Sequence, residues 1–166
     1  MGPCAGGAVY SPGLTDFTFM VQDTSYMFVT GPAVVKTVTK EIVTQEALGG
    51  ARMHSTVSGC AHKTFQNDIE AIASTRKLMT YLPQSCAHKR PNKPWTAEDE
   101  ANQPSCKVLN NIVPFDNSKP YDMKVVINSI CDRNDFYEIM PEYAKNLIIG
   151  FGEVEGRTIG VVANQP

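Results

Sequence analysis

Gly6 and Gly7 lie in the run Gly2-Pro3-Cys4-Ala5-Gly6-Gly7-Ala8-Val9-Tyr10, where paired glycines open a stretch of small, helix-compatible residues. Glycine lets a ligand approach the backbone closely, and the first turn of a helix leaves N–H groups without intrahelical acceptors. Two such donors converging on one oxygen form an oxyanion hole. Aimed at a thioester carbonyl, they would stabilise the enolate left when the α-carbon loses a proton. Spacing alone also admits a tight turn with close helix packing, and favours it, because no phosphate-binding fingerprint surrounds the pair.

Other chemistry is sparse. No Cys-x-x-Cys, His-Glu-x-x-His, Walker A or Gly-x-Ser-x-Gly pattern occurs, and His54, His62 and His88 are well separated. Structural zinc and a hydrolase triad are therefore poor readings. Cys4 adjoins a possible helix N-terminus, which would lower its pKa, yet it has no histidine partner within reach of sequence argument. His62, in Ser58-Gly59-Cys60-Ala61-His62, reads as a hydrogen-bonded loop histidine in preference to a catalytic one.

The elements that must position the glycine pair belong to an ordinary globular chain. Its 166 residues are 42% hydrophobic and 19% charged, with 15 basic against 17 acidic side chains. A net charge of -2 gives no general attraction to nucleic acid, and no stretch approaches the roughly 18 apolar residues of a membrane span. The length suits about one domain. Five cysteines without a close-spaced framework fit reduced thiols in an intracellular compartment.

Phe17–Val21 and Tyr26–Val29 read as short buried strands. Pro32 starts a helix after Gly31, and a second short helix runs from Thr44 to Leu48, stopped by Gly49-Gly50. Asn67 and Glu70 have capping-box spacing ahead of a longer helix that ends at Pro83. Its expected packing face is Phe65, Ile69, Ile72, Met79 and Leu82. Residues 84–106, with Pro91, Pro94 and Pro104 among mixed charges, read as a linker. Asp122 caps a helix with an apolar face of Met123, Val126, Ile127 and Ile130. Leu147–Val154 and Arg157–Val162 form a hairpin around Glu155-Gly156. Ile159–Ala163 reads as a buried strand needing neighbours on both sides. The strand so near one end and the abrupt opening at the other suggest an internal piece of a longer protein.

The run Gly2–Pro12 with Thr15–Val21 resembles the propionyl-CoA carboxylase β-subunit family, the carboxyltransferase components of biotin-dependent enzymes. The resemblance continues through Phe28–Pro32, Val43–Glu46, Leu48–Ala51, Ser58-Gly59 and Ala61-His62. It resumes at Ile112–Pro114, Phe136–Pro141, Tyr143–Asn146, Gly156–Thr158 and Asn164–Pro166, and covers essentially everything except residues 84–109. Ordered agreement of this length is highly specific. Gly13 and Ala33 depart from the alanine and aspartate common in the family.

The resemblance implies an α/β, crotonase-like carboxyltransferase fold. Residues 1–83 would end the N-terminal domain, 84–109 form a linker or variable loop, and 110–166 begin the C-terminal domain. Gly6 and Gly7 would donate their N–H groups to the acyl-CoA carbonyl, and Lys145 is a candidate partner for a CoA phosphate, against the commoner reading of a solvated lysine. Phe136 and Tyr143 are core or interface residues. Propionyl-CoA would be the substrate and methylmalonyl-CoA the product. Biotin would be carried by a partner α subunit that also uses ATP and Mg²⁺, and the β subunits would form a hexamer. A second glycine pair, for the biotin carbonyl, lies beyond this stretch, which should therefore be inactive alone. The family works in the mitochondrial matrix of eukaryotes and in the bacterial cytoplasm. Alternatives are a related acetyl- or acyl-CoA carboxylase, a biotin-dependent decarboxylase, and a non-catalytic assembly module.

Overall fold

The computed structural model describes residues 1–89, 92–101, 106–116 and 118–166. Of the expected linker, Arg90, Pro91 and Pro104 lie outside the described residues, as does the Cys106 side chain. The chain forms two compact units, one of residues 1–75 and 140–144, the other of residues 76–139 and 145–166.

The first unit opens with β1 (Pro3–Ala5), a 3-10 turn over Gly6–Val9 and the short α1 (Tyr10–Gly13). β2 (Phe19–Val21) and β3 (Tyr26–Phe28) follow, then α2 (Pro32–Thr39), α3 (Gln45–Gly49), α4 (Ala51–Thr56) and β4 (Lys63–Phe65). The two early strands do not pair with each other. β1 pairs in parallel with β3, placing Cys4 opposite Met27, and β2 pairs in parallel with β4. Pro32 occupies the first turn of α2, and Thr44 caps α3 by accepting the Ala47 N–H. Gly50 stops α3 as expected but also begins α4, which sequence periodicity did not reveal. Met20, Ala51 and Ala61 form one buried cluster, and Val21, Phe65 and Ala71 another.

Helix α5 (Asp68–Tyr81) corrects an expectation. The capping contact forms, with the Glu70 N–H donating to Asn67 Oδ1 at 2.9 Å, but Ile69, Ile72 and Met79 are 80%, 50% and 57% exposed. The buried residues are Ala71, Leu78 and Tyr81, and Phe65 belongs to β4. The helix carries two apolar stripes. The larger aliphatic side chains dominate its sequence pattern, whereas the small Ala71 permits close packing on Val21 and Phe65.

The second unit contains α6 (Ala97–Ala101), α7 (Met123–Ile130) and an antiparallel sheet of β5 (Phe136–Ile139), β6 (Leu147–Val154) and β7 (Arg157–Asn164), in that order. Asp122 caps α7, whose Ile127 packs with Cys131 and Ile148. Ile130, expected on the buried face, is 54% exposed because the contact row runs instead through Met123, Ile127 and Cys131. β7 also departs from expectation. Among the described residues it pairs only with β6, and Val162 is 79% exposed, so alternate residues face outward as on a one-sided sheet. Phe136 packs on the Ile127 cluster.

The hairpin turn forms where expected, with Glu155 at φ 50° and Gly156 at φ 71°, the left-handed pair of a type I′ turn. Buried Asp132 holds it by accepting the Glu155 N–H at 3.0 Å and the Gly156 N–H at 2.8 Å. Asp132→Ala leaves both donors without this acceptor and is expected to cost about 2–4 kcal/mol, read as a lower urea midpoint at unchanged slope. The expected linker is tied down here as well. Lys93 pairs with Glu153 at 2.8 Å and donates its backbone N–H to the Gly156 carbonyl at 3.0 Å, and Arg133 pairs with Asp99. Trp95 is half-buried and donates its indole N–H to Glu100 at 2.8 Å, whereas Cys86 is exposed. Cys4, Cys60, Cys86 and Cys131 are free thiols.

Candidate active site

Chain direction changes abruptly after Ala5. Gly6 takes φ +66°, and the backbone coils at once through the 3-10 turn into α1. Ala5 cannot cap this turn with a side chain, and no acidic residue stands in it. The early N–H groups therefore meet neither a capping oxygen nor a competing carboxylate from their own turn.

The two glycines differ in what the fold asks of them. Positive φ explains Gly6, since a side chain there would be strained. Gly7 has no such constraint, and a Cβ built on it meets no atom within 4 Å. Among the described residues, close helix packing is thus not the reason for glycine at position 7. What a side chain would occupy is the open space beside the backbone of the turn.

Behind the turn, the helix end is tightly held. The Pro12 carbonyl accepts from the Thr15 N–H at 3.2 Å, Thr15 Oγ1 at 2.8 Å and Thr18 Oγ1 at 3.0 Å. Thr18 is buried, and its own N–H donates to Nδ1 of His62 at 3.0 Å. The ring of His62 meets Phe17 edge-on at 5.7 Å. Burial pushes the His62 pKa below its ordinary value, which favours the neutral ring that an accepting Nδ1 requires. His62 is thus a hydrogen-bonded loop histidine, as expected.

Thr15 and Thr18 were not singled out from sequence, although two threonines just past a helix end are a recognisable signal for capping its last carbonyls. A second polar cluster was also illegible. Glu142, 87 residues from Ser55 in sequence, accepts from the Ser55 hydroxyl and from Thr64. Cys4 lies within β1, opposite Met27 and ahead of the coiled turn. His54 is occupied by the Met27 carbonyl at 2.7 Å and Ser58 at 2.8 Å. Lys145, in the second unit, is exposed and makes no ion pair among the described residues. Tyr143 lies against Gly59, where an added Cβ would come within 3.0 Å of its ring.

Comparison with known proteins gives the class of this α/β chain: it belongs to the carboxyl transferase domain family, whose profile matches residues 1–166. It is 55% identical over 169 aligned residues to the mitochondrial propionyl-CoA carboxylase beta chain of Sus scrofa, covering 100% of this chain and 30% of that relative. It is also 55% identical to the propionyl-CoA carboxylase beta chain of Roseobacter denitrificans, covering 100% of this chain and 32% of the relative. The transcarboxylase 12S structure, a hexamer solved with hydrolysed methylmalonyl-coenzyme A, superposes with a TM-score of 0.91 at 43% identity, over 99% of this chain and 32% of that one. The fold is accordingly that of the crotonase-like carboxyltransferases. The chain spans about a third of the length of the relatives it matches.

Proposed function

We propose that this chain forms part of the carboxyltransferase β subunit of a propionyl-CoA carboxylase, in which a carboxyl group passes from carboxybiotin to the α-carbon of propionyl-CoA to give methylmalonyl-CoA. The observation that carries the reading is the open space over Gly7, at a turn whose early N–H groups lack a side-chain cap. Gly6 and Gly7 donate their N–H groups to the thioester carbonyl. As the α-proton leaves, negative charge builds on that oxygen, and fixed backbone dipoles stabilise it without having to reorganise. One such donor contributes about 3–4 kcal/mol in other enzymes.

Carboxybiotin, carried by a partner α subunit that uses ATP and Mg²⁺, supplies the carboxyl group and, after releasing it, the base for the α-proton. The turn itself needs no titratable side chain: orientation and preorganised charge are its contribution. Lys145 meets a phosphate of CoA. Residues 1–83 close the N-terminal domain and 110–166 open the C-terminal one, with 84–109 between them. The β subunits assemble as a hexamer, in the mitochondrial matrix of a eukaryote or the cytoplasm of a bacterium. No helix among the described residues is long and apolar enough to cross a membrane.

The test is to isolate the native assembly through this polypeptide and follow labelled bicarbonate into acyl-CoA. Propionyl-CoA should be preferred to acetyl-CoA by about tenfold or more in kcat/KM, as one methylene in an apolar pocket provides, and avidin should abolish incorporation. Absence of acyl-CoA-dependent, avidin-sensitive incorporation would overturn the assignment.

A further inference from the structure

The end of α1, the short helix that follows the glycine turn, is held by a chain of hydrogen bonds that ends on one histidine. Pro12 contributes one of the last carbonyls of α1, which helix geometry leaves without an intrahelical donor. The Thr15 N–H and the hydroxyls of Thr15 and Thr18 satisfy it. Thr18 is then gripped at both poles of its backbone: its N–H donates to His62 Nδ1 at 3.0 Å, and its carbonyl accepts the His62 N–H at 2.8 Å.

This grip sits one residue ahead of the β2–β4 ladder, whose register begins at Phe19 opposite Lys63. At Thr18 a ring nitrogen serves as the acceptor for the strand's N–H. His62 is itself fixed, because its carbonyl accepts the Met140 N–H at 2.8 Å. Lys63 and Glu142 are the charged groups lining the crevice on which the ring borders.

We propose that His62 is a positioning residue for carboxyl transfer: through Thr18 and the Pro12 carbonyl it fixes the turn that presents the Gly6 and Gly7 N–H groups to the thioester oxygen. The proposal rests on the oxyanion reading above. His62 does not touch the reacting atoms. A histidine is suited to this place because its neutral ring offers an acceptor at the δ position, and burial keeps the ring in that form.

The experiment combines hydrogen exchange and steady-state kinetics on the assembled carboxylase carrying His62→Phe, His62→Asn or Thr18→Val. Phenylalanine fills the space but leaves the Thr18 N–H without this acceptor. Amide exchange across residues 9–14 should then quicken about 5–100-fold, the range set by a partly buried donor losing its acceptor. kcat should fall about 10–100-fold through misplacement of the donors, with KM for the acyl-CoA changing far less. His62→Asn, whose Oδ1 can stand where Nδ1 stood, should restore most of both. Thr18→Val, nearly isosteric, should reproduce the exchange change by removing only the bond to Pro12, and provides the same test should His62→Phe fail to fold.

Unchanged exchange over residues 9–14 in both His62→Phe and Thr18→Val would overturn the proposal. Faster exchange with unaltered kcat would show that the clamp exists but that the turn is not the oxyanion hole. That outcome overturns the assignment of Gly6 and Gly7 and, with it, the catalytic meaning of the clamp.

Discussion

Gly7→Val in the assembled enzyme should lower kcat/KM for propionyl-CoA by about 10²–10³-fold, the loss associated with removing one oxyanion donor. Its melting temperature should stay close to that of the parent. The two halves of this expectation come from one fact, that a Cβ on Gly7 meets nothing within 4 Å. A valine therefore finds room in the fold, and in the proposed function that room is where the thioester carbonyl approaches the backbone. A comparable change at Gly6 would be less informative, because φ +66° adds backbone strain whatever the space. Turnover assays with a thermal melt on the same preparation decide the matter. Unchanged turnover would remove the oxyanion assignment. A loss of activity accompanied by a large loss of stability would mean that Gly7 serves the fold.

Gly49→Ala should do the opposite, with an expected loss of about 3 kcal/mol or more in stability before any question of catalysis arises. Its Cβ would fall 2.2 Å from the Met27 carbonyl oxygen and 2.9 Å from Cδ1 of Phe28. The first neighbour is backbone and cannot rotate away. Relief requires moving α3 from β3, and β3 is the strand that pairs with β1 just before the glycine turn. The Met27 carbonyl also accepts from His54, so the displacement would disturb a second contact. Urea unfolding measures the effect. Gly13→Ala is the control, since its Cβ meets no atom within 4 Å and alanine suits a helix better than glycine. Equal midpoints for the two variants would refute the packing argument.

Local chemistry was legible in the sequence wherever it was decided by a few adjacent residues. Pro32 starting α2, Thr44 capping α3 and Glu155-Gly156 turning the hairpin each act within about four positions, and each appears where the residue types place it. Strand pairing was less legible. β1 and β2 find their partners across intervening segments, and nothing in Phe19–Val21 names Lys63–Phe65 as its neighbour. The α5 face was misread because periodicity counts apolar side chains without knowing which stripe meets a partner. Ala71 is a weaker signal than Ile69 or Ile72, yet it is the one that is buried. The candidate site divides in the same way. Its glycines were visible as a pair, and family resemblance gave them a role. The hydrogen bond between Thr18 and His62 required the fold, because the two residues are 44 positions apart.

That separation also has a consequence in time. During synthesis from the N-terminus, the glycine turn and Thr18 leave the ribosome well before His62 does. At about 5–20 residues per second, the 44 positions from Thr18 to His62 take roughly 2–9 s to add. β1 waits a shorter interval for β3, and β2 waits for β4 about as long as Thr18 waits for His62. Throughout that interval Thr18 lacks its ring acceptor, so the hydrogen-bond chain that ends on the Pro12 carbonyl is completed only by a histidine translated seconds later.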